Sequence, residues 1–332
     1  MERWSLEQAW EWYRARPPIK GFNYIPRTSV NTTELWQAET FDLALIAEEL
    51  GWAGEAGYNS LRLFIQYLVW EADPWGLLER FDQVLQVASR QGLSVMPVLF
   101  DDCAFAGREP YLGPQEEPVP GVHNSQWTPS PGASRVKDTA AWAKLEQYVK
   151  AFIGAFGERS EVLAWDLYNE PGNNNQGEAS LPLVEAAFDW AREASSAMQP
   201  LTVGPWWDYE GPMSQRLVAL SDVVSFHCYL PAEAFEQTVK GLTRHARPLL
   251  CTELLHRQSG STFEAVLPVC ASNQIGWYQW GLVAGRTQTW LDWQSTAGDP
   301  PPEIWQHDIF DAEGNPWNPE ELSLIKDFRF LD

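Results

Sequence analysis

Short apolar runs alternate along this chain with longer amphipathic stretches. Eight runs read as strands, over residues 19–24, 60–65, 94–100, 162–168, 201–205, 223–229, 248–252 and 275–280. They are continuously apolar, the pattern of strands buried on both faces of a parallel sheet. Between them, helical periodicity covers 40–56, 76–91, 138–156, 181–198, 213–220, 232–245 and 262–273, with a last helix near 319–329. Eight such units in a chain of 332 residues predict a single closed (β/α)8 TIM barrel. A doubly wound open sheet is the runner-up, but no glycine-rich phosphate turn follows the first strand. Residues 1–18 read as an amphipathic helical extension, stopped by Pro17 and Pro18, that caps one end of the barrel. Two stretches without helical period, 103–136 and 284–318, follow strands 3 and 8. Loops this long are uncommon inside a compact domain and tend to be functional.

Charge narrows the partners. The formal net charge of -22 opposes binding to nucleic acid or to anionic lipid. No run is long and apolar enough to span a membrane, and the N-terminus lacks the apolar core of an export signal, so a cytoplasmic protein is expected. Cys103, Cys228, Cys251 and Cys270 form no CxxC pair and are expected as reduced core thiols. The 19 tryptophans supply a large core, with some left to serve as platforms for the flat apolar faces of sugar rings.

The polar residues at the strand ends carry the chemistry. Strand 4 (VLAWDLYNEP) ends in Asn169 and Glu170, and strand 7 (PLLCTE) ends in Glu253. Strand 6 (VVSFHCY) ends in His227 and Tyr229, strand 8 ends at Trp280, and Arg62 interrupts the apolar strand 2. Buried polar groups are costly unless paired, and the C-terminal ends of barrel strands converge on one mouth. A satisfied ion-pair network is the bland account of any one of them. Two carboxyls at a shared mouth suit acetal hydrolysis, one protonating the leaving oxygen and the other attacking the anomeric carbon or activating water.

WDLYNEP, SFHCY and CTE, in this order, resemble clan A glycoside hydrolases, and family 5 (cellulase-like) with its unassigned bacterial relatives in particular. The resemblance spans roughly residues 19–330. It implies a retaining β-glycoside hydrolase acting by double displacement, without cofactor or metal, on β-linked oligosaccharides or glycosides. It implies Glu170 as acid/base, Glu253 as nucleophile, Asn169 on the sugar 2-OH, and Tyr229 and Arg62 on the nucleophile. It further implies His227 near the acid/base and Trp280 as the platform under the reacting sugar. Many family 5 enzymes end strand 3 in histidine, where this chain has Asp101 and Asp102. Carboxylates there either bind sugar hydroxyls or an amino sugar, or serve as a local turn or cap.

Further candidates for substrate contact are Trp206, Trp207 and Asp208 after strand 5, His123, Asn124 and Trp127 in the strand-3 loop, and Gln288 and Trp290 after strand 8. Core packing and loop anchoring are the alternatives for each. The five histidines are scattered without an HxH, which disfavours a metal hydrolase, and no GxSxG elbow is present. An endo-β-1,4-glycanase, a transglycosylase and a non-catalytic sugar-binding barrel remain alternatives. Walls built by the two long loops favour exo action.

Overall fold

The computed structural model describes residues 2–194 and 198–331. Eight strands form one parallel sheet: β1 (Lys20–Tyr24), β2 (Ser60–Phe64), β3 (Ser94–Asp101), β4 (Trp165–Asn169), β5 (Leu201–Gly204), β6 (Val224–His227), β7 (Leu249–Leu254) and β8 (Gly276–Trp280). The spatial order β5-β4-β3-β2-β1-β8-β7-β6 rolls the sheet into a nearly closed barrel. The remaining seam, between β5 and β6, is bridged at its base. Asp222 N–H donates to the Leu201 carbonyl at 2.8 Å, and the Thr202 hydroxyl reaches Val223 O at 2.9 Å and Ser225 Oγ at 2.8 Å.

Each strand lies on one of the apolar runs, shifted by at most three residues. The intervening helices also appear, including Leu43–Glu55, Pro74–Arg90, Trp142–Phe156 and Ala232–Thr243. Local signals start several of them. Asp42 caps Leu45 N–H, and Asp73 caps Gly76 N–H ahead of a proline in the first turn. The helix expected over 181–198 runs Leu181–Glu193, and residues 195–197 of that expectation lie outside the described residues. Short helices at Thr32–Trp36, Tyr67–Ala72 and Ala133–Lys137 carry too few turns to show a period in sequence. All four cysteines are free. No helix among the described residues is long and apolar enough to cross a membrane.

The N-terminal helix Leu6–Arg14 packs under the barrel, at the end where the strands begin. Tyr13 donates to Gln274 O at 2.8 Å and accepts from Gly276 N–H at 2.6 Å, while Trp4 N–H donates to Asp222 Oδ1 at 2.8 Å. Just inside, Tyr278 occupies the space a side chain on β1 would need. A Cβ on Gly21 would lie 2.1 Å from the Tyr278 ring. With its lower end plugged by aromatic rings, the barrel is open only at the C-terminal ends of its strands.

Candidate active site

Arg62 stands at the centre of the barrel, fully buried, and all five N–H groups of its guanidinium are spent. Nε and Nη2 donate to Asp166 Oδ2 at 2.9 and 2.8 Å. Nη1 donates to Asn23 Oδ1 and to Glu253 Oε1, both at 2.8 Å, and Nη2 also donates to Asn169 Oδ1 at 2.6 Å. Isolated, the guanidinium would be prohibitively costly to bury. Two carboxylates and two amides offset that cost and fix four strands in register. Asp166, the partner on β4, escaped sequence reading. Its signal was the charge inside VLAWDLYN, passed over beside Asn169 and Glu170.

Loss of the cation has an expected consequence. Arg62→Met leaves Asp166 buried and unpaired and should cost about 3–5 kcal/mol in urea unfolding. The double variant Arg62→Met/Asp166→Leu should recover most of that stability but not activity. A single variant as stable as the parent would contradict this account of the network.

Glu170 and Glu253 face each other across the mouth. One ligand atom from each, together with one from His227, lies within 4.8 Å of the others. Both carboxyls therefore reach the same small volume at the barrel mouth. Glu253 accepts from Arg62 on one oxygen and from the Tyr229 hydroxyl, at 2.6 Å, on the other. Glu170 has no cationic hydrogen-bond partner among the described residues. It accepts from Asn173 Nδ2 at 2.7 Å, lies 2.8 Å from His227 Nδ1, and has the Cys103 thiol against it.

These surroundings separate the two carboxyls. Burial pushes Glu170 up to about 7, so it holds a proton near neutrality. Burial also pushes Glu253 up, but the Arg62 guanidinium and the Tyr229 hydroxyl favour its charged form. The proton the pair shares therefore sits on Glu170. Burial lowers His227 to about 4, which makes its contact with Glu170 a hydrogen bond of a neutral imidazole. The imidazole fits because β5 ends in glycine: a Cβ on Gly204 would stand 2.8 Å from His227 Nε2. Glu170 itself adopts φ 46°, a left-handed backbone for a side chain other than glycine, as strained residues at reacting sites often do. Glu170, His227 and Glu253 are also the described residues clustered tightly enough to ligate a metal ion. The four carboxylate oxygens and His227 Nδ1 are already engaged by one another and by Arg62, Tyr229 and Asn173, and His227 Nε2 alone is without a partner among the described residues.

The family profile described as Cellulase (glycosyl hydrolase family 5) matches residues 52–294. The chain belongs to glycosyl hydrolase family 5. Membership makes this family 5 chain a retaining glycoside hydrolase on a TIM barrel. No curated protein matches it. Among solved structures, it is similar to the exo-β-1,4-mannosidase from Opitutaceae bacterium strain TAV5, at TM-score 0.64 and 17% identity, over 95% of this chain and 60% of that one. It is similar to a Streptomyces cattleya family 5 protein in complex with Manβ1-4GlcNAc, at TM-score 0.58 and 12% identity, over 94% and 80%. It is also similar to the endo-1,4-β-mannanase from Rhizomucor miehei, at TM-score 0.61 and 11% identity, over 94% of each chain.

The two glutamates of the family 5 chain open into a cavity of about 860 Å3. Trp280, Trp206, Trp207, Asp208, His123 and Asn124 line it with them. Trp206 and Trp207, both offered as substrate contacts, both reach it and are exposed. Cys103, Asn173 and Trp293 are wall residues that sequence reasoning missed.

Five expected contacts are placed elsewhere. Asp101 accepts from Asn169 Nδ2 at 2.8 Å, from Trp127 Nε1 at 2.9 Å and from Cys103 N–H at 2.9 Å. The last of these is the turn geometry weighed as its alternative role. Its carboxylate orients the Asn169 amide and does not face the cavity. Asp102 is consumed by the Tyr168 hydroxyl at 2.6 Å, by Gly172 N–H at 2.8 Å and by Ser180. Trp127 is buried edge-on against Trp280, with ring centroids 5.6 Å apart, and backs that platform. Gln288 accepts from Gly121 N–H at 3.0 Å and donates to Val119 O and Val122 O at 2.8 and 3.0 Å, tying one long loop to the other. Trp290 stays with that loop and packs on Trp305.

Proposed function

We propose that this protein is an exo-acting retaining β-glycosidase, with β-mannosides first among its substrates, and that Glu253 is its nucleophile and Glu170 its acid/base. Glu253, ionised beside Arg62 and Tyr229, attacks the anomeric carbon as the protonated Glu170 gives its proton to the departing glycosidic oxygen. A covalent glycosyl-enzyme results. Glu170, now a carboxylate, takes a proton from a water molecule, whose oxygen displaces Glu253 and releases the sugar with its configuration kept. Trp280 carries the apolar face of the reacting ring. Asn169, held by Arg62 and Asp101, retains one amide N–H for the sugar 2-OH.

The observation that carries the exo reading is the seam between the two long loops. Besides the three bonds of Gln288, Asn124 N–H donates to Thr287 O at 2.7 Å, His123 Nδ1 donates to Leu291 O at 2.8 Å, and Arg286 pairs with Glu117 at 3.0 Å. An open groove for a polymer would have to pass through this seam. Support for mannose comes from the structural neighbours, among which both an exo-β-1,4-mannosidase and an endo-1,4-β-mannanase occur.

A panel of 4-nitrophenyl β-glycosides (gluco, manno, galacto, xylo and glucosamine) tests this. The mannoside should be turned over fastest, and β-1,4-mannobiose should yield mannose alone. Inertness across the panel with cleavage inside long β-mannan would overturn the exo assignment.

A further inference from the structure

We infer that Asn124 reads a ring hydroxyl on the far edge of the terminal sugar, at C3 or C4, and so makes an unsubstituted chain end a requirement for turnover. The inference rests on the glycosidase reading above and assigns a residue on the closed side of the same site.

Direction along the cavity follows from the chemistry. The leaving group must lie beside Glu170, which directly follows β4, and the strand order puts the loops after β5 and β6, with Trp206, Trp207 and Leu230, next to it and away from the joined strand-3 and strand-8 loops. The ring attacked by Glu253 lies over Trp280 and extends towards the strand-3 and strand-8 loops, where His123, Asn124 and Trp293 form the wall. In a pyranose, C4 is the ring carbon opposite C1. The hydroxyls at C3 and C4 therefore point at this wall when C1 is between the glutamates.

Asn124 is the polar residue there whose side chain is not used by the protein. It is 1% exposed, and its Oδ1 has no hydrogen-bond partner among the described residues. A buried amide oxygen without a partner costs about 1–3 kcal/mol, so each one calls for a physical reason. Its backbone is held on both sides, by Asn124 N–H on Thr287 O at 2.7 Å and by Trp127 N–H on Asn124 O at 3.0 Å. The residue adopts φ 46°, which asparagine tolerates better than most residues. Asn124 thus lines the cavity from a fixed backbone support, its amide oxygen unpartnered and nearly occluded.

Its neighbour His123 adds a second acceptor. Leu291 O can only accept, so Nδ1 of His123 carries the proton and Nε2 keeps a lone pair. A sugar bearing hydroxyls at this edge satisfies both residues. One lacking the hydroxyl leaves the amide unpaired, and a site of that kind discriminates strongly.

The test is a coupling measurement on the full chain. Substrates are the 4-nitrophenyl β-glycoside that the parent enzyme turns over fastest and its 3-deoxy, 4-deoxy and 6-deoxy analogues. Asn124→Gly removes the amide without backbone strain, and Asn124→Ser keeps a polar group too short to reach. On the parent enzyme, the 3-deoxy or 4-deoxy analogue should lose about 10- to 100-fold in kcat/KM. Either variant should lose a similar factor on the intact glycoside and nothing more on that analogue, while the 6-deoxy loss is unchanged.

Losses that multiply for every analogue would overturn the assignment, because a merely structural role lowers all substrates alike. So would a variant with undiminished kcat/KM on the intact glycoside. Thermal midpoints measured alongside identify a misfolded variant, and the other variant then decides. Absence of turnover by the parent enzyme on all glycosides would instead overturn the glycosidase reading, and this inference with it.

Discussion

Glu253→Ala should lose about 10⁴-fold or more in turnover of any glycoside, and azide should restore activity by forming the α-glycosyl azide. In the proposed mechanism, the truncated side chain vacates the space beside the anomeric carbon from which the carboxylate attacks. A small anion can enter there, attracted by Arg62, whose Nη1 has lost its carboxylate partner, Glu253 Oε1 at 2.8 Å, and keeps only Asn23. Attack from that side inverts a β-glycoside, and without Glu253 no second displacement returns the configuration. Arg62 keeps Asp166 at 2.8 Å, so the barrel should remain folded. Proton NMR of the product gives the anomeric configuration directly. Undiminished hydrolysis by the variant, or a β-configured azide, would remove Glu253 from the nucleophile's role.

Glu170→Ala should separate substrates by leaving group. Natural oligosaccharides, whose alkoxide leaves poorly, should lose about 10²–10⁴-fold, while 2,4-dinitrophenyl glycosides should form the glycosyl-enzyme at near-normal rates because that phenolate needs no proton. The same variant tests the proton's position. Glu170 is raised to about 7, and the general acid works only when protonated. Activity of the parent enzyme on poor leaving groups should therefore fall as pH rises through about 7. That basic limb should vanish in Glu170→Ala. The limb reports the coupled pair, and its assignment to Glu170 follows from the partners of Glu253, which favour the ionised form. A basic limb persisting unchanged in the variant would place the titrating acid elsewhere.

Much of the site was legible because barrel geometry converts position into location. A polar residue at the C-terminal end of a buried strand reaches the mouth whatever the remainder of the chain does. Glu170, Glu253, His227, Tyr229, Asn169 and Arg62 were read that way, and they meet within hydrogen-bonding distance. Asp166 and the loop residues were harder. The pairing of β4 with β5 slips between Asp166 and Asn169, and β6 slips against β7 between Phe226 and His227. A slip of this kind changes which residues face inward, so counting alternate positions fails at the strand ends that matter most.

Asp101 and Asp102 show the same limit from the other side. A carboxylate at a strand end has the same composition whether it faces sugar or backs a neighbour. Only the positions of Trp127, Asn169, Tyr168 and Ser180 turn the two inward. Cys103, read as a core thiol, stands on the cavity wall because the Asp101 turn points it there.

The sequence by itself determined the barrel, its capped lower end, the family resemblance and the placing of two glutamates at the mouth. Each of these rests on local periodicity or on residues at strand ends, and local signals survive without knowledge of distant partners. Tertiary structure alone decided the meeting of Glu170, Glu253 and His227, the burial that raises Glu170 and the bonds that join the two long loops. These depend on groups far apart in the chain, Gln288 with Gly121 or Arg62 with Asp166 and Glu253, whose separations are set only when the barrel is rolled.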